Sequence, residues 1–253
     1  MAIRVAAVEL PARWNEPEAG LADVERLLAE GGATDLLLLP ETALTGYVSP
    51  AKDFDLTPFA EAVDGPTARA LAGLAVRHRC HLAGPLVERD GDAVHNAVLV
   101  FAPDGRRVAR YRKRHPWYPE TWATPGADAP PVFEVAGARV TVAVCFDVQF
   151  VADDAADELR AADVLLFPSA WVERPDSLGV LLPALATRFD VAVVNANWGP
   201  GTPRVPGQGG SRIVDRRGAT VALAEASARG GAEAGSRAVR IDAALDVGAA
   251  SPC

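Results

Sequence analysis

Apolar and polar residues follow two periods along this chain, and the period changes at glycine, proline and Asp-Gly pairs. Ile3 to Leu10 enters a strand-like alternation at once. Pro17 to Glu30 carries Leu21, Val24, Leu27 and Leu28 at helical spacing, with Gly31-Gly32 as the stop. Leu36-Leu37-Leu38-Leu39 is wholly apolar between Asp35 and Pro40, which fits a buried strand better than a helix of four residues. Residues 45 to 60 show no period and predict a loop. Pro66 to Arg79 predicts a second helix, opened by Asp64-Gly65-Pro66, with Leu71, Leu74 and Ala75 inward.

Strand signals over His81 to Val87, His95 to Phe101 and Arg107 to Arg112 are separated by Asp90-Gly91 and Asp104-Gly105, which predicts antiparallel hairpins. Lys113 to Pro131 is a long loop holding Trp117, Tyr118 and Trp122, and long loops in compact domains tend to be functional. Val140 to Val144 predicts a buried strand with Cys145 at its C-terminal end, then a helix over Asp153 to Ala162. Asp163 to Pro168 echoes the Asp35-to-Pro40 strand, and a helix over Leu178 to Phe189 leads to a strand from Asp190 to Ala196, ending in Asn197. Past the glycine- and proline-rich Gly199 to Gly210, a hairpin over Ser211 to Val214 and Thr220 to Ala224 turns at Arg216-Arg217-Gly218. A flexible loop from Ala226 to Gly235 and a strand from Arg237 to Ile241 complete the pattern. With no internal linker, the succession predicts one α/β domain over residues 1–253, mixed sheets with helices outside.

Composition narrows the function. The 253-residue chain is 49% hydrophobic and 23% charged, enough for a sizeable core and unlike a disordered chain. A net charge of −8 argues against nucleic acid and anionic membrane surfaces as partners. No apolar run approaches the roughly 18 residues of a membrane span. The first residues lack a signal-peptide layout. Cys80, Cys145 and Cys253 are odd in number and far apart, so a cytoplasmic setting with free thiols is expected.

Three polar residues each follow a strand-like run directly: Glu41, Lys113 and Cys145. Taken singly, each has an ordinary reading. Free cysteine is among the most buried residue types, Glu41 suits a turn, and Lys113 lies in the basic run Arg110 to His115. Glu120 alone is a surface acid. Together they form a chemical set. A carboxylate takes the thiol proton, an ammonium holds a developing oxyanion, and the carboxylate returns the proton to a departing amine. Two other stretches carry less. His78-Arg79-Cys80-His81 has metal-ligand residue types at too compact a spacing, and Gly207 to Ser211 lacks the Lys-Ser/Thr ending of a phosphate loop.

The order and surroundings of this set resemble the nitrilase (carbon–nitrogen hydrolase) superfamily, over residues 3 to about 241. Leu39-Pro40-Glu41-Thr42-Ala43-Leu44-Thr45-Gly46-Tyr47 resembles its general-base motif, and Tyr111-Arg112-Lys113 with Pro125-Gly126 its lysine motif. Val144-Cys145-Phe146-Asp147 resembles its nucleophile motif, with Ala162 to Trp171 in the usual place after it. Asn197, Ser211, Ile213, Asp215 and Gly218 resemble its late signature, and Glu120 falls where many members carry a second glutamate. One position departs: Arg188 stands where members often have a glutamate.

The resemblance implies a four-layer α-β-β-α sandwich, commonly dimeric, needing no metal or organic cofactor. It implies an amidase or N-carbamoyl amide hydrolase acting on non-peptide C–N bonds of small molecules through an acyl thioester. A nitrilase, an amide-forming acyltransferase and a catalytically silent binding subunit are its alternatives. Glu41, Lys113, Cys145 and Glu120 are the expected catalytic residues. Tyr47, Trp117, Tyr118, Phe146, Trp171 and Asn197 are the candidates for substrate binding, and Arg174 and Arg204 for pairing a substrate carboxylate.

Overall fold

The computed structural model describes residues 1–173, 176–224 and 237–247. Its first half runs β1 (Ala2–Glu9), α1 (Pro17–Glu30), β2 (Leu36–Leu38), α2 (Pro66–His78), β3 (His81–Asp90), β4 (Ala93–Phe101) and β5 (Arg107–Arg112). The second runs β6 (Phe133–Val135), β7 (Ala138–Val142), α3 (Val151–Asp154), α4 (Ala156–Ala161), β8 (Val164–Ser169), α5 (Asp176–Phe189), β9 (Ala192–Asn197), β10 (Arg212–Val214), β11 (Thr220–Leu223) and β12 (Val239–Asp246). Among the described residues, no helix is long and apolar enough to cross a membrane.

These strands form two six-stranded mixed sheets, in the orders β12-β1-β2-β3-β4-β5 and β11-β10-β9-β8-β7-β6. Each has three parallel strands at its centre, β1-β2-β3 and β7-β8-β9, with antiparallel flanks. Parallel strands need covered faces, and the residues supply the cover by simple alternation. In β1, Ile3, Val5 and Ala7 enter the core that includes the second sheet, while Ala6 and Val8 pack with Val24, Leu27 and Leu28 of α1. In β2, Leu36 and Leu38 face one way and Leu37 the other, toward Leu71 and Leu74 of α2. The second sheet meets Leu178, Leu182 and Leu185 of α5 and Leu159 of α4. The result is an α-β-β-α sandwich. A wholly apolar run such as Leu36 to Leu38 is what a strand buried on both faces requires.

Several elements depart locally from those expected. The cysteine strand ends at Val142, and Cys145 opens a separate 3-10 turn over Cys145–Gln149. The helix expected over Asp153 to Ala162 is two short ones, α3 and α4, broken at Ala155. Strand β6 was not anticipated, because it is only three residues long and pairs with β7 through a tight turn at Ala136-Gly137. The final strand runs on to Asp246, since all eight residues of β1 pair with it. Ala226 to Gly235, Arg174 and Cys253 lie outside the described residues.

One side chain joins the chain's two ends. Arg240 on β12, only 4% exposed, donates from Nη1 to the Leu27 carbonyl at 3.2 Å and from Nη2 to the Gly32 carbonyl at 2.7 Å, while Asp242 holds it at 2.6 Å. The Leu27 carbonyl also accepts the Gly31 N–H at 3.1 Å, so the guanidinium reinforces an existing cap and sets a cation at the negative end of the helix dipole. Arg240→Ala is therefore expected to lower stability by roughly 1–3 kcal/mol, read as a shift of the urea midpoint. Arg240→Lys should recover only part, because an ammonium cannot reproduce the guanidinium fork.

Candidate active site

The candidate residues meet where strands of the two sheets end. Glu41 follows β2 after Leu39-Pro40 and is 1% exposed. Its turn is tight. Thr42 has φ 47°, and the Gly46 N–H donates to the Thr42 carbonyl at 2.7 Å. A β-branched residue in that region costs about 1–3 kcal/mol and persists only when its surroundings enforce it. Gly46 has φ 86°, and a Cβ there would lie 2.2 Å from the Arg13 carbonyl oxygen. Lys113 follows β5 directly, and its N–H donates to the Asn96 carbonyl of β4 at 2.8 Å.

The lysine is enclosed by acids. Its Nζ lies 2.7 Å from Glu41 Oε1 and 2.6 Å from Glu120 Oε1, with none of the three side chains more than 1% exposed. Asn96 Nδ2 donates to Glu41 Oε1 at 2.8 Å and reaches Glu120 Oε2 at 3.4 Å. The Ala170 N–H, one residue past β8, donates to Glu41 Oε2 at 2.9 Å. The Tyr47 hydroxyl donates to Glu120 Oε1 at 3.1 Å. Burial opposes the charge on Lys113, but the two carboxylates outweigh it and hold the ammonium well above the ordinary lysine value. Glu120 is pushed up to about 7, by burial first and the Glu41 charge second, against the pull of Lys113.

Cys145 sits beside this cluster at φ 45°. Burial, then the charges of Glu41 and Glu120, push its thiol well above the usual range, with Lys113 pulling the other way. In that environment the sulfur rests as the thiol and not the thiolate. It opens onto a cavity of about 30 Å3 lined by Trp117, Phe146, Gln149, Ala170, Trp171, Val172 and Glu173.

The candidate substrate residues separate into two groups. Trp117, Phe146 and Trp171 line the cavity with Cys145. Tyr118 does not; it is 87% exposed, because Tyr118 and Pro119 are the corners of a turn closed from the Glu120 N–H to the Trp117 carbonyl at 2.8 Å. Tyr47 is 4% exposed, with its hydroxyl on Glu120 and its ring between Trp117, Phe54 and Trp198. Asn197 is fully buried and occupied. Its Oδ1 accepts Ser169 Oγ and the Trp171 N–H, and its Nδ2 donates to the Gly207 and Gly209 carbonyls. Both organise loops around the cavity. Arg188 lies with its guanidinium 5.0 Å from the Phe189 ring centre. His78 pairs with Glu25 at 2.6 Å, and His81 Nδ1 lies 3.3 Å from the Asp35 carbonyl oxygen. Gly207, Gly209 and Gly210 all have positive φ, as a turn-forming loop requires.

Asn96 joins this cluster without standing among the candidates that motif and spacing pick out. Its signal was present: an amide within the apolar strand Ala93–Phe101, 2% exposed, and a buried amide needs partners.

Fold and site together define a class, an α-β-β-α sandwich that gathers a thiol, an ammonium and two carboxylates at its strand ends. The carbon-nitrogen hydrolase model matches residues 4–244, and the chain belongs to that family. A Pseudomonas protegens protein described as a hydrolase in the pqqF 5′ region is 28% identical over 226 residues, 88% of this chain and 79% of the relative. The 2-oxoglutaramate amidase of Bacillus subtilis is 26% identical over 94% of this chain and 90% of its own length. Among solved structures, a cysteine-to-alanine variant of the Nesterenkonia AN1 amidase from the nitrilase superfamily superposes with TM-score 0.78. It is 25% identical, and the match covers 96% of this chain and 90% of that one.

The raised Glu120 carboxyl sets a pH dependence. Between about 4.5 and 7 the folded protein keeps a proton that the unfolded chain has released, so this group disfavours folding progressively as pH rises through that window. Urea midpoints at pH 5 and pH 7.5 for wild type and Glu120→Gln check it. Stability relative to the glutamine variant should fall at the higher pH, and an unchanged or opposite difference would contradict the assignment.

Proposed function

We propose that the protein hydrolyses the C–N bond of small amides, N-carbamoyl compounds included, through an acyl thioester on Cys145. Lys113 carries the reading. A lysine buried among apolar groups alone would lose its proton, yet here two carboxylates at 2.7 and 2.6 Å keep it charged next to a buried thiol. A fixed cation in a dry site is worth most where negative charge develops in a transition state.

In this reading Glu41 removes the Cys145 proton as sulfur attacks the carbonyl carbon. Three described donors, from Lys113, Asn96 and Ala170, already occupy Glu41, against the roughly four acceptor positions of a carboxylate. Lys113 and the Phe146 N–H stabilise the oxyanion. Glu41 passes its proton to the leaving amine, then draws a proton from water as it attacks the thioester, releasing the acid and restoring the thiol. Glu120 keeps Lys113 charged and in place. The small cavity between Trp117, Phe146 and Trp171 favours a short acyl group. The reading extends to a single catalytic domain over residues 1–253, supported by the span of the family match. It also includes a cytoplasmic homodimer, on the free thiols of Cys80 and Cys145 and the family's habit of pairing.

Intact-mass spectrometry after mixing with a panel of amides, ureido acids, nitriles and esters tests the proposal. An acyl adduct on Cys145 that is lost to water is expected. Cys145→Ala should lower kcat by at least about 10^3-fold and form no adduct. Turnover by that variant at the wild-type rate would overturn the reading, whereas no adduct and no turnover of any of these substrates by the wild type would favour a silent binding subunit.

A further inference from the structure

Cys145 does not hold its own conformation. Its φ of 45° lies in the left-handed region, and the turn it opens is fastened by the side chain of Asp147, 2% exposed. Asp147 Oδ2 accepts the N–H of Val144, the residue before the cysteine, at 3.1 Å, and the Tyr111 hydroxyl at 2.9 Å. Its Oδ1 accepts the His115 N–H at 2.9 Å and lies 3.1 Å from His115 Nδ1. Tyr111 and His115 stand two residues to either side of Lys113, and Asp147 stands two residues after Cys145. A single carboxylate therefore ties the segment carrying the ammonium to the turn carrying the thiol.

A charge at this place calls for a reason. A buried carboxylate is costly, and a neutral carbonyl would satisfy a turn N–H and a hydroxyl equally well. What the charge adds is strength, since bonds to an ionised acceptor are shorter and about twice as strong as neutral ones. The outer side of the clamp is braced as well. His115 Nε2 lies 3.0 Å from Asp154 Oδ2 of α3, and the His115 ring stacks on Phe150 at 4.1 Å. Phe150 in turn meets Phe146, a wall of the cavity, at 5.4 Å. Lys113 Nζ is committed to Glu41 and Glu120, so its bonds orient the acids rather than the sulfur.

We propose that Asp147 is a positioning residue that sets the separation of Cys145 from Lys113 and holds the nucleophile in its left-handed conformation. The proposal rests on Cys145 being the nucleophile. Asp147 touches no substrate; it acts through the backbone on either side of the thiol and of the ammonium.

Asp147→Asn keeps the shape, removes the charge and turns an amide nitrogen toward one of the donors. The probe is iodoacetamide, with alkylation of Cys145 followed by intact mass and peptide mapping. In folded Asp147→Asn this alkylation is expected to slow at least ten-fold, and in amide turnover the loss should fall on kcat with KM within two-fold. Tyr111→Phe removes one bond and leaves the carboxylate, so a two- to five-fold slowing is expected. Arg240→Ala, destabilised far from the site, should alkylate at the wild-type rate. A wild-type alkylation rate in folded Asp147→Asn overturns the proposal, as does equal slowing in Arg240→Ala. If Asp147→Asn fails to fold, Tyr111→Phe decides, and an unchanged rate there overturns it. Slowed alkylation in Asp147→Asn together with no turnover of any amide by wild type would support the clamp while sinking the hydrolase reading.

Discussion

A lysine ammonium buried between two carboxylates is the constraint on which this structure turns. Burying an ammonium alone would drive it to the neutral amine, and burying a carboxylate alone would drive it to the neutral acid. Each is tolerable only because the others are within hydrogen-bond reach, at 2.7 and 2.6 Å. The balance is unequal. Two acids face one cation, and burial with the neighbouring Glu41 charge pushes Glu120 up to about 7, toward keeping its proton. Asn96, Ala170 and Tyr47 supply neutral donors that spread the remaining charge.

The sandwich is arranged to make that cluster possible. Glu41 leaves β2 and Lys113 leaves β5 in one sheet, while Cys145 lies past β7 and Ala170 past β8 in the other. The cluster therefore spans both sheets, and the dry space between them is what makes its charges count. Holding the groups there needs strained backbone. Thr42 and Cys145 both have positive φ, next to and at proposed reacting residues. Such conformations survive where surrounding bonds over-determine them, and the bonds to Asp147 do this for the cysteine turn.

Legibility varied with the range of the interaction that decides each feature. Helices α1 and α2, the leucine strand and the Asp-Gly hairpins follow from period and turn chemistry, which are local, and they lie within a few residues of their expected bounds. The break at Ala155 and the short strand β6 depend on tertiary packing and pairing, and no local signal announced them. The aromatic residues show the same division. Trp117 and Tyr118 are neighbours in sequence, yet one lines the cavity and the other is in solvent, because a turn closes between Trp117 and Glu120. Tyr47 and Asn197, candidates for touching substrate, spend their polar atoms on the protein itself.

By itself the sequence determined the alternation that makes two-faced buried strands and the placement of Glu41, Lys113 and Cys145 just past strand-like runs. Through its motifs it also carried the family. Those features are written in residue type and spacing, and a strand's period of two leaves little freedom in which face it buries. Only the tertiary structure decided that Asn96 bridges the two acids, that Asp147 joins the lysine segment to the cysteine turn, and that Glu120 is the acid pushed toward keeping its proton. Each is a contact between groups 7 to 55 residues apart, made in a low-dielectric interior. Its energy depends on distance and burial, which no spacing along the chain encodes.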